Sequence, residues 1–404
     1  MAGSLGGPAD PPSGGLPVAA GSPRLVRVAA EVRTLVERRR DELVRRAGQA
    51  EDSAEVFDIA STRLRRLVPF DAAVWSVTDP ATGLPTGPTR IDDLDGMTAA
   101  QCSEHWRGEF VHDDVNAFVD LARARRPAGT LRAASDDPER SPRYRTVLRP
   151  LGYGDEMRAV LRIEGSPWGL LTLFRYEGRP AFTAPETALV AGLSAPLAGA
   201  LRAHARPAET VPGPLPDRPG VLVFDTGGDL QSADDQAWAW LAELPLDRTL
   251  PSDLGVDVPL WLVATVFRAG AAAYGRGDGI ARARIRSRRG RWLVCHASCL
   301  DRPGGPRTIV VVLEPASPAE IAPLVIDAYG LTDREREITA LIARGASTTE
   351  IADTLFLSPH TVRGYVKAIF TKVEVSSRGE LVAKLFADTY EPQYHRMITR
   401  VRVG

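Results

Sequence analysis

Cysteine is scarce in this sequence of 404 residues, and long apolar runs are absent. The three cysteines are Cys102, Cys295 and Cys299, too few for a disulfide framework and typical of a reducing compartment. No N-terminal segment joins a basic start to an apolar core, so we expect no secretory signal. The longest uncharged apolar run, residues 188–201, is too short to span a bilayer and contains Pro196. We therefore predict a cytoplasmic protein without a membrane segment.

Lysine is also rare, and its distribution is uneven. It occurs only at Lys367, Lys372 and Lys384, whereas the cation elsewhere is arginine. A GC-rich genome explains the excess of arginine but not the clustering of the lysines. The formal net charge is −1, which excludes a globally basic coat for nucleic acid or membrane surfaces. The chain is too long for one hydrophobic core, so we expect two to four domains.

Motifs typical of enzymes are missing as well. The sequence has neither a Walker loop nor a Gly-x-Ser-x-Gly elbow. Cys295 and Cys299 flank His296, but on a strand the two sulfurs lie roughly 13 Å apart at ~3.3 Å per residue. That separation is too long for a disulfide or a shared metal, so we interpret them as small core residues. We predict no enzyme activity, no metal and no cofactor.

The most informative stretch lies near the C-terminus, where apolar residues recur at helical spacing in four short blocks. Each block has its own start signal, and Gly345 ends the first. The start signals are Thr332-Asp333-Arg334-Glu335, Ser347-Thr348-Thr349-Glu350, Ser358-Pro359 and Ser377-Arg378-Gly379-Glu380. The spacing predicts a small domain of four helices.

Only Phe356-Leu357 separates the second block from the third. Two helices joined so tightly cross steeply, as in a helix-turn-helix. The third block would then enter the major groove of DNA. Its outer face carries Arg363 and Lys367 with Gly364 between them, and arginine can pair with guanine O6 and N7. The alternative is a helical bundle that binds another protein, which the turn length and the outer charges disfavour.

This stretch resembles the C-terminal DNA-binding domain of the LuxR family of bacterial transcription regulators. The residues that carry the resemblance are Leu331-Thr332, Arg334-Glu335, Gly345, Glu350-Ile351-Ala352, Leu355, Ser358-Pro359, Thr361-Val362, Val366, Ile369, Lys372 and Arg378. The resemblance implies that the third block is the recognition helix and the fourth a packing and dimer-contact helix. The predicted DNA-binding residues are Ser358, His360, Thr361, Arg363, Gly364, Lys367 and Lys372.

The chain departs from the family pattern at two places. It has Lys372-Val373-Glu374-Val375 where Lys-Leu-Gly-Val is usual, which bears on the turn before the fourth helix. Gly364 stands where a contacting side chain is common, which bears on base readout there.

Two further regions resemble sensor domains. Residues 157–161 and 168–173, followed by Phe182-Thr183 and Glu186, are similar to a GAF domain, a small-molecule or protein-sensing α/β fold. After them, two strands, helices and three strands resemble a PAS domain. The predicted organisation is a disordered tail (1–23), a helix (24–48), a GAF-like domain (49–205), a Pro-rich linker (206–219), a PAS-like domain (220–315), a connector (316–329), the helix-turn-helix domain (330–390) and a C-terminal tail (391–404).

The sequence therefore predicts a multidomain α+β protein in which two sensor domains control a four-helix DNA-binding domain. The expected partners are double-stranded DNA, a second copy of the chain and a small-molecule ligand. Aromatic residues are the candidates for lining ligand pockets, although a plain core role is favoured for most of them. They are Trp75, Trp106, Phe110, Phe118, Trp168, Phe224, Trp238, Trp261 and Trp292. The rival hypothesis is a ligand-controlled protein-interaction module that does not bind DNA.

Overall fold

The computed structural model describes residues 23–94, 96–206, 216, 218–244, 249–252, 254, 257–277, 280–301 and 304–386. The predicted N-terminal tail lies outside these residues except for Pro23, as do most of the Pro-rich linker and all of the C-terminal tail. The described chain forms two antiparallel sheets with flanking helices, followed by a helical C-terminal region. The prediction of a mixed α and β chain with a helical end is confirmed.

The first unit is built on a five-stranded sheet with the order β2-β1-β5-β4-β3. Its elements are α1 (Pro23–Ala47), α2 (Ser53–Leu64), β1 (Ala72–Thr78), β2 (Pro85–Asp92), α3 (Ala99–Phe110), α4 (Phe118–Arg123), β3 (Ala128–Thr130), α5 (Leu131–Ala134), β4 (Tyr153–Ile163), β5 (Ser166–Tyr176) and α6 (Ala184–Ala203). The predicted hairpin is β4 and β5. Its turn is Glu164-Gly165, both at positive φ, the combination that a type I′ turn requires.

Two local predictions in this unit were wrong. The sequence predicts turn residues after a strand that ends at Val77, through Pro88, but β2 begins at Pro85. A proline is tolerated there because β2 is an edge strand and needs no ladder hydrogen bond on its outer side. The sequence also predicts a helical stretch over about residues 115–125, but only α4 is helical, because Asn116 adopts a left-handed conformation with φ of 56° before it.

The second unit has a five-stranded sheet with the order β10-β11-β12-β6-β7. Its elements are β6 (Gly220–Asp225), β7 (Leu230–Ala233), α7 (Asp235–Glu243), β8 (Thr249–Pro251), β9 (Asp257–Pro259), α8 (Leu260–Gly270), β10 (Ile280–Arg286), β11 (Trp292–Leu300) and β12 (Thr308–Pro315). Asp234 caps α7 by accepting the N–H of Ala237 at 2.7 Å. The short pair β8 and β9 has no alternating pattern in the sequence and was not predicted.

The C-terminal region consists of α9 (Pro318–Ala328), α10 (Asp333–Ala343), α11 (Thr348–Leu355), α12 (Pro359–Val373) and α13 (Arg378–Phe386). The capping boxes predicted for α10 and α11 are present, with Glu335 and Glu350 each accepting the amide of its cap residue at 2.7 Å. The four predicted helices are confirmed. Among the described residues, no helix is both long and apolar enough to cross a membrane.

The two sheet units share part of their hydrophobic core. Leu84, Cys102 and Trp106 of the first unit pack in one cluster with residues of the second, including Trp261. Helix α9 also packs back onto the first unit, since Leu324 and Ala328 belong to its main core. The first and second units therefore meet over a buried apolar surface.

A buried ion pair fixes this junction. Asp79 of the first unit accepts hydrogen bonds from the amide of Arg284 at 2.9 Å and from its Nε at 2.8 Å. Both side chains are under a tenth exposed. The Nη1 of Arg284 also donates to the carbonyl oxygen of Glu320 on α9 at 3.1 Å. One guanidinium thus joins the first unit, β10 and the helix that leads into the C-terminal region.

We predict that Asp79→Ala strongly destabilises the protein, because it leaves the Arg284 guanidinium buried and unpaired. Such a change costs ~3–5 kcal/mol in the free energy of unfolding. The double variant Asp79→Leu with Arg284→Met should recover most of this loss, since it removes both charges. Urea denaturation of the full chain measures both values.

The control is Asp113→Ala, which breaks the pair between Asp113 and Arg276, two side chains that are 87% and 45% exposed. Asp113→Ala should change the urea midpoint of unfolding little, because solvent screens exposed charges. Equal effects of Asp79→Ala and Asp113→Ala would contradict the assignment of the buried pair as the anchor of the junction.

Candidate nucleic-acid interface

The turn between α11 and α12 is made by two residues. Phe356 ends α11 in the left-handed conformation, with φ of 55°, and the amide of Leu357 donates to the carbonyl of Ala352 at 2.8 Å. The side chain of Phe356 is 95% exposed. Ser358 then caps α12, accepting the N–H of Thr361 at 3.0 Å. The two helices are therefore held in the tight arrangement that the sequence predicted.

Helix α12 has one buried face and one exposed face. Val362, Ile369 and Val373 are fully buried in the C-terminal core. The other side of the helix carries exposed residues at spacings of three or four positions: His360, Thr361, Arg363, Gly364 and Lys367. This spacing places them on one helical face, which we call the outer face of α12.

The cations on the outer face are unpaired. Neither Arg363 nor Lys367 makes a side-chain hydrogen bond or ion pair within the part of the chain that the structure describes. The other arginines of helices α10 to α13 are engaged: Arg334 pairs with Glu337, Arg336 with Asp327, and Arg378 donates to the carbonyl oxygen of Ala346. Free guanidinium and ammonium groups on a protruding helix are the donors that guanine edges and phosphates accept. Five of the seven predicted DNA-binding residues thus lie together on this face.

Lys372 lies elsewhere. Its Nζ contacts Glu335 of α10 at 2.6 Å and the carbonyl oxygen of Gly330 at 3.2 Å. Burial raises the pKa of the Glu335 carboxyl, but hydrogen bonds from Lys372 and from Thr332 outweigh it, so this pKa is lowered overall. Lys372 therefore joins α12 to the start of α10 and is not part of the outer face.

The helix N-terminus differs from the expectation in one detail. A helix that begins at Ser358-Pro359 is expected to offer free backbone amides to a phosphate, but the Ser358 hydroxyl already occupies the amide of Thr361. The two hydroxyls of Ser358 and Thr361 lie 2.8 Å apart at the exposed start of the helix. The start of α12 therefore presents hydroxyl groups to solvent more than free amides.

The predicted pocket residues separate into two groups. Trp106, Phe118 and Trp261 line one cavity, and Phe110 stacks on Trp106 with ring centroids 5.9 Å apart. The others pack in or against the hydrophobic clusters without lining that cavity: Trp75, Trp168, Phe224, Trp238 and Trp292. No set of three or more His, Cys, Asp or Glu side chains in the described residues is placed to hold a metal ion.

Comparison with known proteins addresses the helical region. Residues 330–385 match the profile of the bacterial regulatory proteins of the luxR family. A segment of 68 residues, 17% of the chain, is 40% identical to the transcriptional regulatory protein DesR of Bacillus subtilis. The chain spans 34% of the length of DesR. A segment of 55 residues, 14% of the chain, is 40% identical to the spore germination protein GerE of Bacillus subtilis and covers 74% of it. The chain belongs to the LuxR family of bacterial regulatory proteins.

The N-terminal units are not reached by these sequence matches. Among solved structures, SdiA of Escherichia coli matches 87% of this chain and 96% of its own, at 12% identity and a TM-score of 0.31. That score is too low to support an argument about the fold of the sheet units. What the comparisons show is a LuxR-type DNA-binding domain of a transcriptional regulator at residues 330–385.

The LuxR-type domain keeps its last turn despite the departure from the family pattern. Glu374 follows α12 in the left-handed conformation, with φ of 59°, which suits glycine better than any other residue. Its carboxylate lies 3.9 Å from Arg206 and 3.9 Å from Lys384. The glutamate thus accepts an unfavourable backbone conformation and gains contacts with two cations, one of them at the end of α6.

We predict that Glu374→Gly raises the free energy of unfolding by about 1 kcal/mol, because glycine removes the strain of a left-handed residue. Glu374→Ala is the matched control, since it also removes the carboxylate but keeps the Cβ atom. Chemical denaturation should rank glycine above alanine. The same stability for both variants would show that the backbone at this position carries no strain.

A second prediction concerns Lys372. Lys372→Met should lower the free energy of unfolding by about 1 kcal/mol at pH 7, a value kept small because the ammonium is partly exposed. The folded pKa of Glu335 is lowered, so its contribution is present above the unfolded value of about 4.3 and is lost as the pH falls through the folded value. The difference between wild type and variant should therefore shrink below about pH 4. A difference that stays constant from pH 7 to pH 3 would contradict the pairing.

Proposed function

We propose that this protein is a sequence-specific transcription regulator that binds operator DNA as a homodimer and is controlled by its two N-terminal sheet units. The observation that carries the proposal is the outer face of α12. Its cations have no partner among the described residues, while the opposite face is buried in the domain core. Such a protein acts in the bacterial cytoplasm, where the DNA is.

We assign the outer-face residues distinct roles. Arg363 pairs with guanine in the major groove, and Lys367, one turn further along, meets a base or a phosphate. Ser358, His360 and Thr361 stand at the exposed N-terminus of α12, where a phosphate is favoured. A Cβ atom added at Gly364 would meet nothing within 4 Å in the free protein. We assign Gly364 to close approach of the helix to DNA.

The sensor assignments are part of the proposal. Residues 49–205 are assigned to a GAF-like unit and residues 220–315 to a PAS-like unit. Counted within each sheet, both have the strand order second, first, fifth, fourth, third. In the second unit the chain order is two strands, helices and three strands, apart from the short β8–β9 pair. This common topology supports two sensor units of related design.

A dimer follows from the size of the DNA-binding domain. One recognition helix contacts few base pairs, so specific binding uses two half-sites and two copies. The two long helices α1 and α6 are the candidate dimer surfaces. Because α6 buries Val190, Leu193, Leu197 and Leu201 within the chain, we favour α1, whose residues 33–35 and 37–41 are exposed.

The rival function is a protein-interaction module that has lost DNA binding. The two hypotheses differ in their salt dependence. Binding to DNA releases counterions, so affinity falls steeply as salt rises. A gel-shift titration with fragments selected from random-sequence DNA, repeated at several salt concentrations, separates them. If no sequence is selected, or if all complexes that form are insensitive to salt, the protein-interaction module is favoured.

We predict that Arg363→Ala lowers affinity for the selected sequence by a factor that corresponds to ~1–3 kcal/mol. Non-specific DNA should be affected less, because the lost contact reads a base. Lys367→Ala should weaken binding to all sequences about equally and lower the salt slope by about 1 if it meets a phosphate. Fluorescence anisotropy with selected and scrambled duplexes measures both.

The matched control is Arg344→Ala. Arg344 is an exposed arginine of the same domain that follows α10 and lines a surface groove together with residues of α9. Its removal should leave the affinity for the selected sequence within about twofold, a difference of roughly 0.4 kcal/mol. If Arg363→Ala, Lys367→Ala and their combination bind like wild type, the outer face is not the DNA-binding surface.

A further inference from the structure

A cavity lies between the two sheet units. Its floor is one face of the first sheet, with residues from β1, β2 and β5, and its side is α3 with Cys102, His105 and Trp106. Leu260 and Trp261, the first two residues of α8, form another wall. These two residues belong to the second unit, so neither unit alone encloses the space.

The wall from the second unit contains an unsatisfied donor. Trp261 is 3% exposed, and its indole N–H has no hydrogen-bond partner among the described residues. A buried donor without an acceptor costs about 1–3 kcal/mol. An acceptor oxygen on a bound molecule would remove that cost.

Two further polar groups line the same space. Thr172 of β5 is 4% exposed, and its hydroxyl makes no hydrogen bond to another side chain or backbone group in the described chain. His105 meets Trp106 edge-on, with ring centroids 5.0 Å apart, and its ring nitrogens are equally without a partner there. Burial lowers the pKa of His105 well below its usual value, and the charges of Arg158 and Arg143 lower it further, so the imidazole is neutral.

The rest of the lining is mostly apolar and carries no charged side chain; its two other hydroxyls, those of Ser76 and Thr89, lie 3.3 Å apart. It includes Val74, Ile91, Leu94, Leu170 and Phe174. A carboxylate or ammonium group would lose its hydration here without gaining a counter-charge, which is strongly unfavourable. The lining therefore selects an uncharged molecule that is mostly apolar and carries an oxygen acceptor.

The size of the cavity adds a constraint. Its volume is about 80 Å³, roughly half of the ~150 Å³ apolar cavity that holds benzene. A ring-sized molecule fits only if a wall moves. The floor is held by the hydrogen bonds of the sheet, whereas the α8 wall belongs to a separate unit.

We propose that this cavity binds a small uncharged molecule with a carbonyl or hydroxyl oxygen, and that the occupant acts by displacing α8 at the junction of the two units. Helix α8 packs on β10, and Arg284 of β10 contacts both Asp79 and the α9 carbonyl of Glu320. A shift of α8 would therefore occur close to Arg284, the residue that joins the two sheet units to the helix leading into the DNA-binding domain. The link to DNA rests on the function proposed above, whereas the binding site does not.

The first experiment tests binding by the full chain with four probes that share a benzene ring. Acetophenone has an acceptor oxygen, ethylbenzene has none, and benzoate and benzylammonium are charged. Acetophenone should raise the melting temperature in a saturable way and more than ethylbenzene, and the charged probes should have no effect. Equal effects of ethylbenzene and acetophenone, or a larger effect of either charged probe, would overturn the proposed ligand class.

Matched variants test whether acetophenone binds in this cavity. Trp261→Phe removes the indole N–H and keeps an aromatic ring, and Thr172→Val removes the hydroxyl at nearly constant shape. Each should weaken acetophenone binding several-fold. Trp238→Phe is the control, since Trp238 packs against the second-unit core without lining the cavity, and it should bind acetophenone like wild type. Unchanged affinity in Trp261→Phe and Thr172→Val would overturn the site.

The second experiment tests the two-unit character by hydrogen exchange. Acetophenone should change exchange in peptides from α3 of the first unit and from α8 of the second. Changes confined to the first unit would overturn the α8 mechanism. Operator affinity is then measured with and without acetophenone. If acetophenone binds and changes exchange but the protein never binds DNA, the binding site is supported and the proposed function is rejected. If the protein binds its operator in a salt-sensitive way and acetophenone does not alter that affinity, the coupling between site and DNA binding is rejected.

Discussion

The buried contact between Asp79 and Arg284 is the constraint on which the arrangement of the chain depends. A guanidinium taken out of water is tolerated only if its donors find acceptors. Here the acceptors come from the first unit and from α9, while the arginine itself stands on β10. The first unit, β10 and α9 thus meet at one buried guanidinium group. If one of them moves, a buried donor or acceptor is exposed or left unpaired, which makes the junction sensitive to small displacements.

The outer face of α12 stands free of this junction. Its predicted contact residues are exposed although α9 and the end of α6 pack close to the C-terminal domain. Arg206, which follows α6, lies 3.9 Å from Glu374, the residue that follows α12. Within the described part of the chain, the outer face is therefore open to solvent. In the proposed function, the N-terminal units would act through the placement of the two DNA-binding domains of a dimer, and not by masking the recognition helix.

The helical domain was predictable from the sequence because its signals are local. Capping boxes, a glycine stop and the two-residue turn fix four helices without reference to the rest of the chain. The conformation of Glu374 was not predictable, since a glutamate in the left-handed region is stabilised by its surroundings. The β2 strand was missed because its prolines indicate a turn, and only its place at the sheet edge makes them acceptable. Trp106 and Trp261 are 155 positions apart, and no local pattern shows that they meet in one core. The roles of the DNA-binding and pocket residues stay proposals.

The central claim is that the outer face of α12 reads the major groove as a pair. Methylation of guanine N7 by dimethyl sulfate measures this directly, because that atom lies in the major groove. On the selected operator, the full-length protein should protect guanines in two half-sites whose centres lie about 10 base pairs, or a small multiple of that, apart. Arg363→Ala should lose this protection first. Full protein occupancy of the DNA with every guanine N7 still reactive would contradict the account.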